Sequence, residues 1–273
     1  MEYQLLAMDM DGTVLNSEKI ITPRTDKAIR AALQAGKQVL FATGRCPGEV
    51  RGHLAAYPEM RYLLALSGAL VLDVRTGQAL ADVTLSRELT GQVMELVSGV
   101  DAMLTLFAGE DVYVEHRHRG RMEYFGCECF ARLYEQCAVW VDSIPRVLQG
   151  ALGGKVHKLN IFCHTQQDWE QVHRLLSPLP VTMARGIPNN YEVSPLGVDK
   201  GAGLEMLCRA AGIPVEQAIA VGDEGNDAAM LRAAGLGVAM GNAPEHIRAL
   251  ADAVTADCDH DGVAQVIETY LLG

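Results

Sequence analysis

Two carboxylates near the start of the sequence are close enough to bind a metal ion together. Asp9 and Asp11 are two residues apart and directly follow the short apolar run from Tyr3 to Met8. On an extended backbone, side chains two residues apart point to the same face. Because neighbouring carboxylates repel each other, one of them is driven to take up a proton unless a cation binds between them. Hard oxygen ligands of this kind favour Mg²⁺.

The same residues also suit a simple turn. Gly12 and Thr13 follow Asp11, and Asp, Gly and Thr are all common in turns and helix caps. Taken alone, the stretch from Asp9 to Thr13 is compatible with a metal-binding loop and with a strand-to-helix turn. The choice between them depends on later parts of the sequence.

The elements around these acids predict an α/β fold. The run from Tyr3 to Met8 has the composition of a buried parallel strand, as does the run from Lys37 to Ala42. Between them, Thr22 and Pro23 are typical of a helix start and Gly36 of a helix end. Strand, helix and strand in this order indicate a doubly wound parallel sheet with right-handed crossovers.

Three predicted strands end in polar loops. These loops are Asp9 to Thr13, Thr43 to Arg45, and Gly222 to Asp227. In a parallel sheet the carboxyl ends of the strands meet at one edge, where such sheets bind ligands. The third loop brings a second pair of acids, Asp223 and Asp227, to that edge. This combination favours the metal-binding loop over the plain turn.

The predicted site suits transfer of a phosphoryl group. Mg²⁺ bound by Asp9 and Asp223 would offset the repulsion between a carboxylate nucleophile and a dianionic phosphate monoester. Asp9 is the expected nucleophile and would form an aspartyl phosphate. Asp11 would protonate the leaving oxygen and later deprotonate water.

Several donors could hold the phosphate. Lys200 supplies an ammonium, Thr43 a hydroxyl, and Met10 and Gly44 backbone N–H groups. Lys200 could instead be a solvated residue in the first turn of a helix. A cation is slightly unfavourable there because of the helix dipole, which favours a functional role. Thr43 could also cap a helix, and the two roles can coexist.

The middle of the chain has a different pattern. From about Leu85 to Gly186, runs of strands lie between helices, which is typical of an α+β domain. We therefore expect a catalytic core formed by residues 1–84 and 187–273, with residues 85–186 inserted as a cap that covers the site and excludes water. The predicted cap contains a long helix from Arg121 to Cys137.

Composition argues against several kinds of partner. The chain has 273 residues and a net charge of −11, whereas nucleic-acid or anionic membrane surfaces need basic patches. No apolar run approaches the ~20 residues of a membrane-spanning helix. Seven scattered cysteines and the lack of a basic, apolar leader lead us to expect a cytoplasmic protein with free thiols. The sequence leaves a monomer and a homodimer open.

Taken together, the motifs resemble those of the haloacid dehalogenase (HAD) superfamily. The loops Asp9 to Thr13, Thr43 to Arg45 and Gly222 to Asp227, together with Lys200, look like its four ordered motifs. The inserted segment resembles the type IIB cap of Cof-type phosphatases. The resemblance extends over nearly the whole chain.

This resemblance implies Mg²⁺ as the cofactor and a role for each residue. Asp9 would be both nucleophile and metal ligand. Asp11 would be the acid and base, and its backbone carbonyl would also bind the metal. Asp223 would be the side-chain ligand of the third loop, and Asn226 would hold phosphate or a metal-bound water. Asp227 would contact these residues and position them without binding the metal itself.

The expected activity is Mg²⁺-dependent hydrolysis of small phosphate monoesters, such as sugar phosphates or similar metabolites. Two alternatives stay open at this point. The protein could be a phosphomutase or phosphotransferase that passes the phosphoryl group to a sugar, or a non-catalytic metabolite sensor on the same fold. The presence of Asp11 argues against the sensor. The sequence does not name the substrate.

Overall fold

The computed structural model describes residues 2–150 and 155–273, so Met1 and residues 151–154 of the predicted domains lie outside the described residues. The chain divides into two compact units. The first unit comprises Met1–Gly44, Gly52–Ala81 and Asp199–Gly273, and the second comprises Arg45–Arg51 and Asp82–Val198. The predicted insert, residues 85–186, falls within the long segment of the second unit, Asp82–Val198.

Strands and helices alternate along most of the described chain. In chain order the strands are β1 (Leu5–Met8), β2 (Gln38–Ala42), β3 (Tyr62–Ala65), β4 (Leu70–Asp73), β5 (Gln78–Asp82), β6 (Ala102–Ala108), β7 (Asp111–Glu115), β8 (Val139–Val141), β9 (Lys158–Cys163), β10 (Val181–Ala184), β11 (Asn190–Pro195), β12 (Ala218–Gly222), β13 (Leu236–Ala239) and β14 (Ala253–Val254). The α-helices are α1 (Pro23–Gln34), α2 (Pro47–Ala56), α3 (Arg87–Val97), α4 (Ala131–Cys137), α5 (Ile144–Gln149), α6 (Gln166–Leu176), α7 (Lys200–Ala211), α8 (Ala228–Ala233), α9 (Glu245–Arg248) and α10 (Gly262–Val266).

The first unit is built on a mostly parallel sheet with the strand order β14-β13-β12-β1-β2-β3-β4-β5. Strand β1 pairs in parallel with β2 on one side and with β12 on the other. From β1 the chain therefore winds outward in both directions, and the order reverses between β1 and β12. This confirms the predicted doubly wound α/β fold, and the reversal is where such sheets bind ligands.

Local sequence explains why these elements form. All four residues of β1 are fully buried, as expected for a strand covered on both faces. Helix α1 starts as predicted, because the Thr22 side chain accepts a hydrogen bond from the Thr25 N–H and Pro23 occupies the first turn. Ala28 and Ile29 form part of its buried stripe.

The second unit has its own sheet with the strand order β10-β11-β9-β6-β7-β8, antiparallel except between β7 and β8. Leu159 and Ile161 of β9 belong to the hydrophobic core on one face. Because side chains alternate along a strand, Lys158 and Asn160 lie on the other face. Glu192 of β11 is paired with Asn160, and its Oε1 lies 3.4 Å from the Lys158 Nζ.

The predicted helix from Arg121 to Cys137 is wrong over most of its length. Only Ala131–Cys137 is α-helical, after a short 3₁₀ turn at Glu128–Phe130. Gly126 has a φ of 63°, a left-handed conformation that ends any helix before it. The structure also contains β8 and α5, which the sequence analysis did not predict.

Within the described part of the chain, none of the helices has both the length and the apolar character needed to cross a bilayer.

Candidate active site

The candidate site lies in the first unit, at the carboxyl ends of β1 and β12. The register pairs Met8 with Val221, so Asp9 and Asp223 follow neighbouring strands closely. The Asp9 N–H donates to the Val221 carbonyl at 2.9 Å, which continues the β1–β12 pairing by one residue. The two acids that the sequence analysis placed in separate loops therefore lie at one edge of the sheet.

A buried lysine joins two of the predicted acids. The Lys200 Nζ lies 2.6 Å from Asp9 Oδ1 and 2.6 Å from Asp227 Oδ1. Lys200 is the first residue of α7, whose N-cap Asp199 accepts a hydrogen bond from the Ala202 N–H. The helix start thus fixes the backbone from which the ammonium reaches the two carboxylates.

Asp227 is held through both of its carboxylate oxygens. Oδ1 accepts from Lys200, while Oδ2 accepts from the backbone N–H groups of Asp223 at 2.9 Å and Glu224 at 3.0 Å. Asp227 is fully buried. Its contacts fix the backbone of the loop that carries Asp223, which suits a supporting role.

Two residues that the sequence analysis did not assign hold the Asp223 side chain. The Thr13 Oγ1 donates to Asp223 Oδ1 at 2.7 Å, and the Asn242 Nδ2 donates to Oδ2 at 3.2 Å. The Asn242 Nδ2 also donates to the Gly12 carbonyl at 2.9 Å.

One of these two residues could have been found from the sequence. Asn242 follows β13, so it lies in a fourth polar loop at the same sheet edge, and this position was the signal that could have revealed it. Nothing local in the sequence pairs Thr13 with a residue 210 positions away.

Gly12 allows the first and third loops to approach closely. Its φ is 84°, a left-handed conformation that glycine adopts without a steric cost. A Cβ added there would lie 2.4 Å from Asp223 Oδ2. A side chain at residue 12 would therefore displace the Asp223 carboxylate.

Burial makes the site electrostatically unusual. Removal from water, together with Asp227, raises the pKa of Asp9 to about 7, although Lys200 opposes the rise. Removal from water, together with Asp9 and Asp227, raises the pKa of Asp223 to about 8. Burial by itself would lower the pKa of Lys200, but Asp227 and Asp9 outweigh it and raise that pKa above its ordinary value. The site has more carboxylates than one ammonium neutralises.

The donor set fits a hard divalent cation. Asp9, Asp223 and Asp227 each offer a carboxylate oxygen, and these three atoms lie within 4.8 Å of one another. Oxygen donors of this kind suit Mg²⁺. Burial and, after it, repulsion between neighbouring carboxylates raise the pKa values of Asp9 and Asp223. A bound cation would relieve that repulsion and favour the ionised carboxylates.

The remaining predicted residues occupy neighbouring loops of the same unit. Met10 is fully buried directly after Asp9. Thr43 is buried after β2; its N–H donates to the Leu64 carbonyl at 2.8 Å, and Gly44 follows it. Asn226 lies in the 3₁₀ turn Gly225–Asp227 beside Asp227.

Asp11 lies apart from the three clustered acids. Its Oδ1 is 2.9 Å from the Nζ of Lys19, which sits on the turn that follows the first loop. The structure thus brings Asp9, Asp223, Asp227 and Lys200 into direct contact or close proximity. Asp11 borders this group, and its negative charge contributes to the raised pKa of Asp9.

The fold and site together define an α/β enzyme with a carboxylate cluster at the reversal point of a parallel sheet. The sequence profile of the haloacid dehalogenase-like hydrolases matches residues 6–267. The chain therefore belongs to this family, which confirms the resemblance found in the motifs.

One curated relative and one solved structure match the chain over nearly their whole length. The 5-amino-6-(5-phospho-D-ribitylamino)uracil phosphatase YcsE of Bacillus subtilis is 28% identical, and the match covers 99% of this chain and 97% of YcsE. The solved structure of a haloacid dehalogenase-like hydrolase from B. subtilis is 26% identical, with a TM-score of 0.89, and covers 97% of this chain and 99% of its own.

A HAD subclass IIB sugar phosphatase has the same fold, with a TM-score of 0.82 at 24% identity and coverage of 97% of this chain and 98% of its own. The chain is thus a phosphatase of the HAD superfamily.

Proposed function

We propose that this protein hydrolyses small phosphate monoesters, such as sugar phosphates or similar metabolites, through an aspartyl phosphate on Asp9 and with Mg²⁺ as cofactor. The observation that carries the proposal is the position of Asp9, which lies in contact with Lys200 and within 4.8 Å of the Asp223 carboxylate. The relative YcsE, a phosphatase of a phosphorylated ribitylaminouracil, supports a small phosphorylated substrate.

In the first step a carboxylate oxygen of Asp9 attacks phosphorus, and the bond from phosphorus to the substrate oxygen breaks. Asp11 gives its proton to the leaving oxygen, so that an alcohol departs. In the second step water attacks phosphorus, Asp11 takes the proton, and the bond to Asp9 breaks. Asp9 is regenerated and inorganic phosphate leaves.

Asp9, Asp223 and the Asp11 backbone carbonyl would hold the Mg²⁺. When bound, the ion would supply positive charge that offsets the repulsion between carboxylate and phosphate. Asp227 positions Lys200 and the backbone of the Asp223 loop, as its hydrogen bonds indicate.

The phosphoryl oxygens would be held by donors from several strand ends. These are the Lys200 ammonium, the Thr43 hydroxyl, the backbone N–H groups of Met10 and Gly44, and the Asn226 amide. Catalysis of phosphoryl transfer consists mostly of such positioning and charge neutralisation. Each of these residues belongs to the first unit.

We further propose that the insert predicted at residues 85–186 selects the substrate, and that the protein is cytoplasmic. The seven cysteines are all free in the described chain, which suits a reducing compartment.

A panel of phosphorylated metabolites and an aryl phosphate, assayed for phosphate release with and without Mg²⁺, tests the proposed activity. We expect Mg²⁺-dependent release by the wild-type protein and none by Asp9→Asn. Asp111→Asn, an exposed substitution in the second unit, is the matched control and should keep wild-type turnover of the aryl phosphate. Undiminished turnover by Asp9→Asn would refute the assignment of the nucleophile.

A further inference from the structure

Several hydrogen bonds hold the turn at residues 16–20, which follows the loop from Asp9 to Thr13. The Asn16 Oδ1 accepts from the N–H groups of Glu18 and Ile20, both at 3.1 Å. The Asn16 N–H donates to the Ile20 carbonyl at 3.0 Å, and the Lys19 N–H donates to the Asn16 carbonyl at 2.9 Å. The hydrogen bonds on both sides of Lys19 therefore fix the path of its backbone.

A second anchor ties this turn to a distant part of the first unit. Both the N–H and the hydroxyl of Ser17 donate to Asp259 Oδ1, at 3.0 and 2.8 Å. Asp259 lies 242 residues further along the chain. The turn is thus fixed at its base as well as across its tip.

Lys19 has an unusual backbone conformation at the tip. Its φ is 62°, a left-handed value that costs a residue with a Cβ and that glycine or asparagine adopts more readily. From this backbone the Lys19 Nζ reaches 2.9 Å from Asp11 Oδ1. Strain of this kind, held in place by surrounding hydrogen bonds, is typical of functional sites.

Stability does not explain the Lys19–Asp11 pair. The Lys19 side chain is 46% exposed and that of Asp11 is 29% exposed. Ion pairs with this much solvent contact contribute little to stability, because water screens them and ordering the long side chain costs entropy. Stabilisation of the fold therefore does not account for a strained turn that is anchored at two places and holds Lys19 against Asp11.

We propose that Lys19 is a positioning residue for Asp11. By holding Oδ1, the ammonium fixes the orientation of the carboxyl group that exchanges protons with the leaving oxygen. A proton donor must lie within hydrogen-bond reach of its acceptor, so a carboxyl group held in the productive orientation is a better acid. This inference rests on the proposed function, because it assigns Lys19 a task only if Asp11 is the acid.

The dependence of rate on the leaving group tests the proposal. A nitrophenolate leaves with little help from an acid, whereas an alkoxide needs a proton as the bond breaks. The ratio kcat/KM reports the steps up to departure of the leaving group. We expect Lys19→Met to lower kcat/KM by about 10-fold for an alkyl or sugar phosphate and by less than about 2-fold for nitrophenyl phosphate.

Two further variants separate the ammonium from the turn. Lys19→Gly keeps the left-handed turn and removes the ammonium, so it should show the same selective loss as Lys19→Met. Lys19→Arg restores a cation and should recover part of the lost rate. Lys27→Met, at an exposed lysine of α1, is the matched control and should behave as wild type on both esters.

The outcomes distinguish this inference from the proposed function. Equal losses on both esters, no loss on either, or wild-type behaviour of Lys19→Gly would overturn the role of Lys19 and leave the phosphatase assignment intact. A wild-type protein that releases phosphate from neither ester would refute the proposed function, and the role of Lys19 would be refuted with it.

Discussion

Each unit of the protein buries a lysine, and the two lysines differ in the charge that surrounds them. Lys200 of the first unit contacts Asp9 and Asp227 at 2.6 Å each, with Asp223 close by. Lys158 of the second unit lies 3.4 Å from Glu192 and has its ammonium 4.7 Å from the centre of the Phe107 ring.

The carboxyl groups near Lys158 have more positive charge around them than the carboxyl groups near Lys200. Burial raises the pKa of Glu49, also in the second unit, but a hydrogen bond from the Cys46 N–H and the charges of Lys158 and Arg45 act against the rise. Two cations thus act on this carboxyl group, whereas in the first unit the Lys200 ammonium contacts two carboxylates and a third, that of Asp223, lies nearby. A surplus of buried negative charge calls for a cation, and a balanced cluster does not. Burial of a lysine alone therefore does not mark a catalytic site.

The largest predicted effect compares the two lysines directly. Lys200→Met leaves Asp9 and Asp227 without their shared partner, and we expect phosphate release from an aryl phosphate to fall by about 10³-fold. Lys158→Met should retain the rate on the same ester within about 5-fold, because it lies outside the carboxylate cluster. Initial rates at saturating Mg²⁺, on variants shown to be folded by circular dichroism, measure both. Comparable losses of rate in the two variants would show that Lys200 and Lys158 do not differ in their importance for phosphate release.

A pair of glycine substitutions tests the close approach within the first unit. Gly12→Ala and Gly36→Ala both place a side chain at a φ above 80°, and each should lose about 1–2 kcal/mol of stability. Only at Gly12 does the new Cβ meet another group, the Asp223 carboxylate at 2.4 Å. We therefore expect phosphate release to fall by about 10- to 100-fold in Gly12→Ala alone. Equal activity in the two variants would show that the position of Asp223 is not critical.

The residues that hold Asp223 should affect metal affinity more than turnover. Thr13→Val removes the 2.7 Å hydrogen bond to Asp223 Oδ1 with little change of shape, and we expect the Mg²⁺ concentration for half-maximal rate to rise by about 10-fold. Thr105→Val is the matched change at a buried threonine of the second unit and should leave this concentration unaltered. The role of Thr13 in metal binding would be contradicted if both variants, or neither, changed the Mg²⁺ concentration for half-maximal rate.

The free energy of unfolding should also depend on pH. The pKa values of Asp9 and Asp223 are raised from 3.8 to about 7 and about 8. A group whose pKa is raised by folding adds stability that is complete below its unfolded pKa and is lost as pH rises through the folded value. The free energy of unfolding of the metal-free protein should therefore fall between about pH 5 and about pH 8.5.

Urea denaturation with a chelator at these two pH values measures this fall. Asp223→Asn removes one of the two groups, so its stability should decline less over the same range. Added Mg²⁺ should restore most of the wild-type stability at the higher pH, because the ion binds the folded state. If the free energy of unfolding declined equally in the wild type and in the variant, Asp223 would not contribute to the dependence of stability on pH.

Sequence patterns were sufficient for the part of the site that depends on backbone. Short apolar runs predicted parallel strands, and the carboxyl ends of such strands must converge, so Asp9 and Asp223 could be placed together. Thr13 was not assigned because its role is a side-chain contact with a distant loop, which no local pattern encodes. Asn242 was missed although it lies in a fourth polar loop, after β13, whose position at the same sheet edge could have revealed it. The predicted helix through Gly126 was wrong because the structure holds this glycine in a left-handed conformation, which interrupts a helix.

Trapping the phosphorylated enzyme tests whether Asp9 attacks phosphorus. Wild-type protein mixed with excess substrate and Mg²⁺ is quenched with acid within one turnover, and its peptides are analysed by mass spectrometry. We predict one phosphoryl group, attached to Asp9, which disappears when the reaction is allowed to finish. A phosphoryl group on another residue, or steady phosphate release with Asp9 never modified, would contradict the proposal that Asp9 attacks phosphorus.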